Sequence, residues 1–145
     1  MIVGRDYLTS GSKQSMMLAS SMNNRFKFRV WDFFHKQWIT GAAIELNGRI
    51  INTSFAEPET NCVALQYTGL TDKNGNLIFE GDIVQYNQNS SYDNMDFIVK
   101  WRDDKLGFIF QSNSGEQLVN QTPHLNRFKH LEVVGNIFEH ENLLK

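Results

Sequence analysis

At 145 residues the chain has the size of one ordinary domain, roughly 100–150 residues, and its 41% hydrophobic content is that of a globular protein rather than a disordered one. Fourteen basic against sixteen acidic residues leave a formal charge of −2, which speaks against a general nucleic-acid coat, since phosphate neutralisation supplies most of that affinity. A single cysteine, Cys62, excludes a disulfide-stapled scaffold, and no apolar run approaches the roughly 20 residues that span a bilayer.

Residues 1–24, MIVGRDYLTSGSKQSMMLASSMNN, are rich in Ser, Asn and Met and lack periodicity. They also lack the charged-then-apolar order of a secretory signal, so a bacterial cytoplasm is the expected compartment. Met22 stands directly before the first patterned segment. Residues 1–21 are therefore expected to be a flexible extension and residues 22–145 the domain.

From Arg25 the pattern has period two. Phe26, Phe28 and Val30 alternate with Lys27, Arg29 and Trp31, which predicts a half-buried strand. Trp38 to Thr40 is a second short strand. Residues 43–55 read as a hairpin centred on Asn47-Gly48, taken as a two-residue turn with positive φ at both positions. A loop around Pro58 follows, then an apolar run over residues 63–68.

Asp72-Lys73-Asn74-Gly75 is a turn leading into Leu77, Ile78 and Phe79. Glu80-Gly81-Asp82 is another, opening a strand over residues 83–86. A polar loop covers residues 87–96. Phe97, Val99 and Trp101 then share one face, expected to be the core face, opposite Ile98, Lys100 and Arg102. A loop through Leu106 and Gly107 returns the chain to Phe108, Ile109 and Phe110. Ser112 to Gly115 is a further turn. Leu131, Val133, Gly135 and Ile137 are placed on one face of a late strand, and residues 141–144 in a short helical turn.

Eleven Phe, four Tyr and three Trp favour strands over helices. Short strands with turns at intervals of roughly 8–12 residues predict an all-β fold, a small barrel or sandwich of antiparallel strands. The order of elements over residues 79–139 is that of a small SH3-like barrel, preceded by an N-terminal β-meander. Closure would protect its edges.

Three segments carry a family resemblance. They are KFRVWD from Lys27 to Asp32, LQYTGLTDKNG with the following IFEGDIV from Leu65 to Val84, and EVVGNIFE from Glu132 to Glu139 with Asn142, Leu143 and Leu144 behind it. Together they resemble the YopX-like proteins of bacteriophages and prophages over most of the chain from Met22. The resemblance implies a small phage or prophage accessory protein of β-rich fold and implies no activity.

The motif residues have structural explanations. Gly69, Gly75 and Gly81 stand where positive φ or close approach is useful. Asp72 and Asp82 can accept hydrogen bonds from backbone N–H groups two residues on. Tyr67 would pack its ring with a satisfied hydroxyl. The functional alternative is that Tyr67, Asp72 and Asp82 line a recognition groove. Trp31 beside Asp32 could bind a partner's amide or cation, although core packing beside a turn is the commoner role of such a pair.

Catalytic patterns are scarce. His35, His124, His130 and His140 form no H-E-x-x-H pattern and have no cysteine at zinc spacing; His124 and His130 could meet in space. Cys62 lies between Asn61 and Val63, which suggest no activation. No nucleophile elbow or phosphate-binding glycine loop occurs. No cofactor, metal or catalytic residue is therefore expected.

Two readings lead, ahead of a third, a hydrolytic enzyme that would need His124 or His130 beside Cys62 or a carboxylate inside a pocket. The first is a non-enzymatic module that binds a host or phage protein through an edge strand or a groove with aromatic anchors. The second is a nucleic-acid-binding accessory factor for phage replication or gene control. It would use Lys100, Arg102 and Lys105 beside Phe97, Trp101, Phe108 and Phe110, with Asp96, Asp103 and Asp104 cancelling part of that field. Self-association is compatible with either reading. A membrane role is not expected.

Overall fold

The computed structural model describes residues 26–45, 47–51, 61–86, 95–112, 115, 117–118 and 130–144. The extension over residues 1–21, its boundary at Met22, His124 and most of the loop over residues 87–96 lie outside the described residues. Within them the fold is all-β, with eleven strands, every pairing antiparallel, and two single turns of 3-10 helix. No described helix is long and apolar enough to cross a membrane.

Strands β1 (Phe28–Asp32), β2 (Gln37–Ile39), β5 (Cys62–Thr71) and β6 (Leu77–Phe79) form one sheet in the order β2-β1-β5-β6. Strands β3 (Ala43–Ile44) and β4 (Ile50–Ile51) form a separate ribbon. The five-stranded sheet takes β7 (Asp82–Tyr86), β8 (Asp96–Arg102), β9 (Gly107–Ser112), β10 (Gln117–Leu118) and β11 (Leu131–Asn136) in the order β10-β9-β8-β7-β11. Its first strand therefore pairs with its last, and it curls into a half-barrel.

Alternation builds the core. Val84, Tyr86, Phe97, Val99, Phe110 and Leu131 lie on one face of the half-barrel and close over Ile78 of β6. Ile83 and Ile109 are buried from the opposite face. The same alternation placed Trp101 in the core, and there the structure differs. Trp101 shares the face of Phe97 and Val99 but stands at the strand end, 44% exposed, beyond the reach of the core.

Two hairpin turns follow one scheme. In the first, Glu45 and Arg49 are joined by a bond from the Glu45 N–H to the Arg49 carbonyl (2.8 Å), and the Gly48 N–H donates to the Glu45 carbonyl (2.9 Å). In the second, the corresponding bonds join Asp72 to Asn76 (2.8 Å) and Gly75 to Asp72 (3.0 Å). Gly48 and Gly75 stand at φ +85° and +86°, whereas Asn47 and Asn74 are not left-handed. These are three-residue loops ending in a glycine bulge rather than the two-residue turn expected at Asn47-Gly48. An asparagine or aspartate oxygen captures downstream N–H groups in each, and that satisfies the loop without a second positive φ.

Strand β11 also departs from expectation. Its register slips between Val133 and Gly135, so Val133 opposes Val84 but Gly135 opposes Ile83. Leu131 and Val133 keep the core face, Gly135 turns to the other, and Ile137 lies past the strand end. A bulge re-aims every residue after it.

Candidate functional site: an aromatic groove at the end of strand β1

Strand β1 covers only part of the longer β5. Its final rung is the Tyr67 N–H bonded to the Lys27 carbonyl at 2.8 Å. Beyond it the β5–β6 register breaks between Tyr67 and Thr71. The Thr68 hydroxyl holds this irregularity, donating to the Ile78 carbonyl (2.8 Å) and accepting the Leu70 N–H (3.2 Å). Gly69 takes φ +87° there, and a Cβ added to it would meet nothing within 4 Å. The backbone is bare at this point.

A groove of about 300 Å³ opens over this segment, lined by Phe26, Gln66, Tyr67, Thr68, Gly69 and Phe108. Phe26 is 66% exposed. Tyr67 is buried in the groove floor against Phe79, ring centroids 5.7 Å apart. Trp101 meets Phe108 edge-on at 5.1 Å and extends the aromatic surface outward. The Lys27 ammonium lies over the Tyr67 ring, 5.6 Å from its centroid, within cation–π range.

Beside the groove, the Arg29 guanidinium is ion-paired with buried Asp82 and lies 4.4 Å and 4.9 Å from the ring centroids of Trp38 and Phe79. Asp82 also accepts the Phe79 N–H at 2.8 Å. Its carboxylate thus reaches back three residues, not two residues on. Burial pushes the Asp82 pKa up, while Arg29 and the Phe79 N–H pull against that rise.

The other motif carboxylates are also engaged. Asp72 accepts from Asn74 N–H (2.9 Å), Asn76 N–H (2.8 Å), the Asn76 side chain (3.0 Å) and Val133 N–H of β11 (3.1 Å). Burial opposes its charge, but these bonds outweigh that and hold its pKa below the usual value. Asp32 closes the β1–β2 turn, bonding His35 Nδ1 (2.6 Å) and the N–H groups of Phe34 (2.8 Å) and His35 (3.1 Å). His35 foremost holds its pKa down. Trp31 is buried, stacked on Phe138 at 5.3 Å and edge-on to Trp38 at 4.9 Å.

Of Tyr67, Asp72 and Asp82, then, the groove contains Tyr67, and the two carboxylates serve the fold around it. Lys100 points away from Trp101, on the opposite strand face, while Arg102 grips Asp104 through two bonds of 2.6 and 2.7 Å. Lys105 is exposed in the 3-10 turn Asp103–Lys105. Burial and the Asp32 carboxylate push the Cys62 thiol pKa up, away from a reactive thiolate. His130 packs edge-on to Tyr86 at 6.4 Å. No cluster of metal-ligating side chains occurs among the described residues.

Sequence reasoning missed Phe26 and Lys27 as site residues. Period-two alternation put Phe26 and Phe28 on a half-buried stripe with Val30. In the structure Val30 is buried and both phenylalanines are exposed; β5 runs the length of β1, but β2 on its other side reaches only to Val30. No local signal marks Phe26 or Lys27, because where β1 ends against β5 is set by a long-range pairing.

A family model described as YopX protein matches residues 27–145. The crystal structure of protein EF1440 from Enterococcus faecalis is similar in fold, with a TM-score of 0.59 and 26% sequence identity. The match covers 82% of this chain and 97% of that one. No curated protein matches significantly.

Proposed function

The chain belongs to the YopX protein family, and on that premise we propose that it is a non-enzymatic protein-binding module whose recognition surface is the groove at the end of β1. Family membership suggests a phage-type accessory protein; the finer reading is that it acts by occupying a host or phage protein. The observation that carries this is the set of Phe26, Tyr67 and Phe108 around a bare backbone turn at Gly69. Large aromatics in a pocket are the usual anchors of an interface, and a bare backbone turn lets a partner's main chain approach closely.

The test is affinity capture from nuclease-treated bacterial lysate, with the full chain and its Phe26→Ser variant as parallel baits. A protein retained by the natural chain and lost by the variant supports the reading. Equal retention by both baits would remove the groove from it.

A nucleic-acid reading has one observation in its favour, the exposed Trp101 between Lys100 and Arg102. Against it, Arg102 is occupied by Asp104 and the Trp101 indole N–H by Asp103 at 2.8 Å. Capture that vanishes with nuclease would promote it.

A further inference from the structure

Resting on the protein-binding reading, we infer that the partner seats an arginine side chain on the exposed indole of Trp101, beside the carboxylates of Glu80 and Asp103. Trp101 is 44% exposed and adjoins the groove through Phe108, which lines it. The two rings meet nearly perpendicular, at 77°. Phe108 therefore meets the indole from one side and leaves the rest of its exposed surface to solvent. The indole is also held in position. Its N–H donates to Asp103 Oδ1 at 2.8 Å, and the Trp101 backbone N–H donates to Glu80 Oε1 at 3.3 Å. An exposed ring that is already fixed loses little freedom when a partner covers it.

Charge selects the occupant. Both donors to these carboxylates are neutral N–H groups, so Glu80 and Asp103 keep their negative charges. Among the described residues neither is ion-paired. The cations nearby do not cancel them. Arg102 grips Asp104 through bonds of 2.6 and 2.7 Å, and Lys100 points to the opposite strand face. Lys105 is exposed in the same turn, but Glu80, Asp103 and Asp104 still outnumber Arg102 and Lys105 around the indole.

Tryptophan offers the best aromatic face for a cation. A planar guanidinium stacks on such a face and bonds carboxylates through its fork, whereas an ammonium is a point charge. The same carboxylates repel phosphate, which sets this surface against nucleic acid. The net charge of −2 adds a general attraction for basic partners, so the test separates the site from that field.

The experiment is fluorescence anisotropy on the full chain with three labelled hexapeptides. They share a central Trp-Leu pair flanked by arginines, lysines or glutamates. The arginine peptide should bind about threefold more tightly than the lysine peptide and at least about tenfold more tightly than the glutamate peptide. Glu80→Gln and Asp103→Asn each remove a charge but keep an oxygen that accepts the same Trp101 N–H group. Each should weaken the arginine peptide about threefold or more. Glu132→Gln makes the same charge change at the other end of β7 and β8, where Glu132 opposes Gln85 and Gln85 opposes Asp96. It should weaken the arginine peptide by less than about 1.5-fold. Trp101→Leu should erase the preference for arginine over lysine. Equal weakening by all three charge variants would overturn the inference, since the general field would then explain the preference. So would an arginine-over-lysine gap that survives Trp101→Leu. Equal affinities for the three peptides that fall with Phe26→Ser would overturn the arginine seat while leaving the groove as a protein-binding site. If none of the peptides binds, the inference fails outright, and the lysate capture then decides the broader reading independently.

Discussion

Arg29 of β1 and Asp82 of β7 form an ion pair that ties the N-terminal sheet to the half-barrel. The guanidinium fills a slot between the Trp38 and Phe79 rings and also reaches the Glu80 carbonyl at 3.4 Å, while its Nε is buried with no partner. One side chain thus fixes β1 and β2 relative to the Phe79–Asp82 turn. The groove lies between elements that this contact holds in place.

Arg29→Met should therefore destabilise the fold by about 3 kcal/mol at neutral pH, because it leaves a buried carboxylate without its counter-charge. The penalty should shrink on acidification. Without Arg29, burial is opposed mainly by the Phe79 N–H bond, and the folded pKa of Asp82 rises further above the unfolded value near 4. A group with a raised folded pKa contributes most below its unfolded pKa and loses that contribution as pH rises through the folded one. Urea melts of the natural and variant chains across the acid-to-neutral range check this. A penalty independent of pH would show that Asp82 is not the group left exposed.

Asp72 behaves in the opposite sense. Its folded pKa is depressed, so its contribution is present above the unfolded value near 4 and is lost as pH falls through the lower folded value. Asp72→Ala removes the acceptor for three backbone N–H groups and should cost about 2–3 kcal/mol at neutral pH. The variant should show a flatter acid limb in thermal melts followed from neutral pH to about pH 3.

How much of this could be read from the chain depended on range. The strands carrying Phe97, Val99, Ile109 and Phe110 announce themselves, because alternation is a local property. Trp101 was misplaced because alternation gives the face of a residue and not how far the core beneath it extends. Asn47-Gly48 and Asn74-Gly75 marked turns correctly, but the turn type depends on side-chain bonds from Asn47 and Asp72 that a dipeptide rule ignores. The Arg29–Asp82 pair spans 53 residues of sequence, and nothing local to Arg29 points to its partner. The groove was invisible for a related reason: it arises where two paired strands differ in length.

Gly135→Ala should destabilise by about 1–3 kcal/mol through overpacking. A Cβ there would lie 2.8 Å from His140 Cγ and 3.1 Å from its Cβ, close to the base of that side chain, so the ring cannot simply swing aside. His140→Ala in the same chain should recover the part of the loss that the ring causes, while the contact with the retained Cβ persists. A double-mutant cycle read by chemical denaturation checks it; additive effects would mean that the two residues do not collide.

Gly75→Ala tests backbone conformation alone. The position stands at φ +86° with open space around it, so the cost should be the left-handed penalty of about 1 kcal/mol and no more. Gly75→Asn should cost less, since asparagine tolerates that region. Thermal denaturation of both variants separates this from a packing effect.

Phe26 links the fold to the proposed function. An exposed side chain outside the core contributes little to stability, so Phe26→Ser should change it by no more than about 0.5 kcal/mol. If Phe26 anchors a partner, the same substitution should weaken capture by tenfold or more, about 1.4 kcal/mol or above. Phe108→Ser is the useful contrast. Phe108 is half-buried against the half-barrel core and packs on Trp101, so its loss should reduce both stability and capture. A chain that keeps its melting temperature and loses its partner with Phe26→Ser, yet loses both with Phe108→Ser, places recognition at the groove. Unchanged capture by a stably folded Phe26→Ser chain would move it elsewhere on the surface.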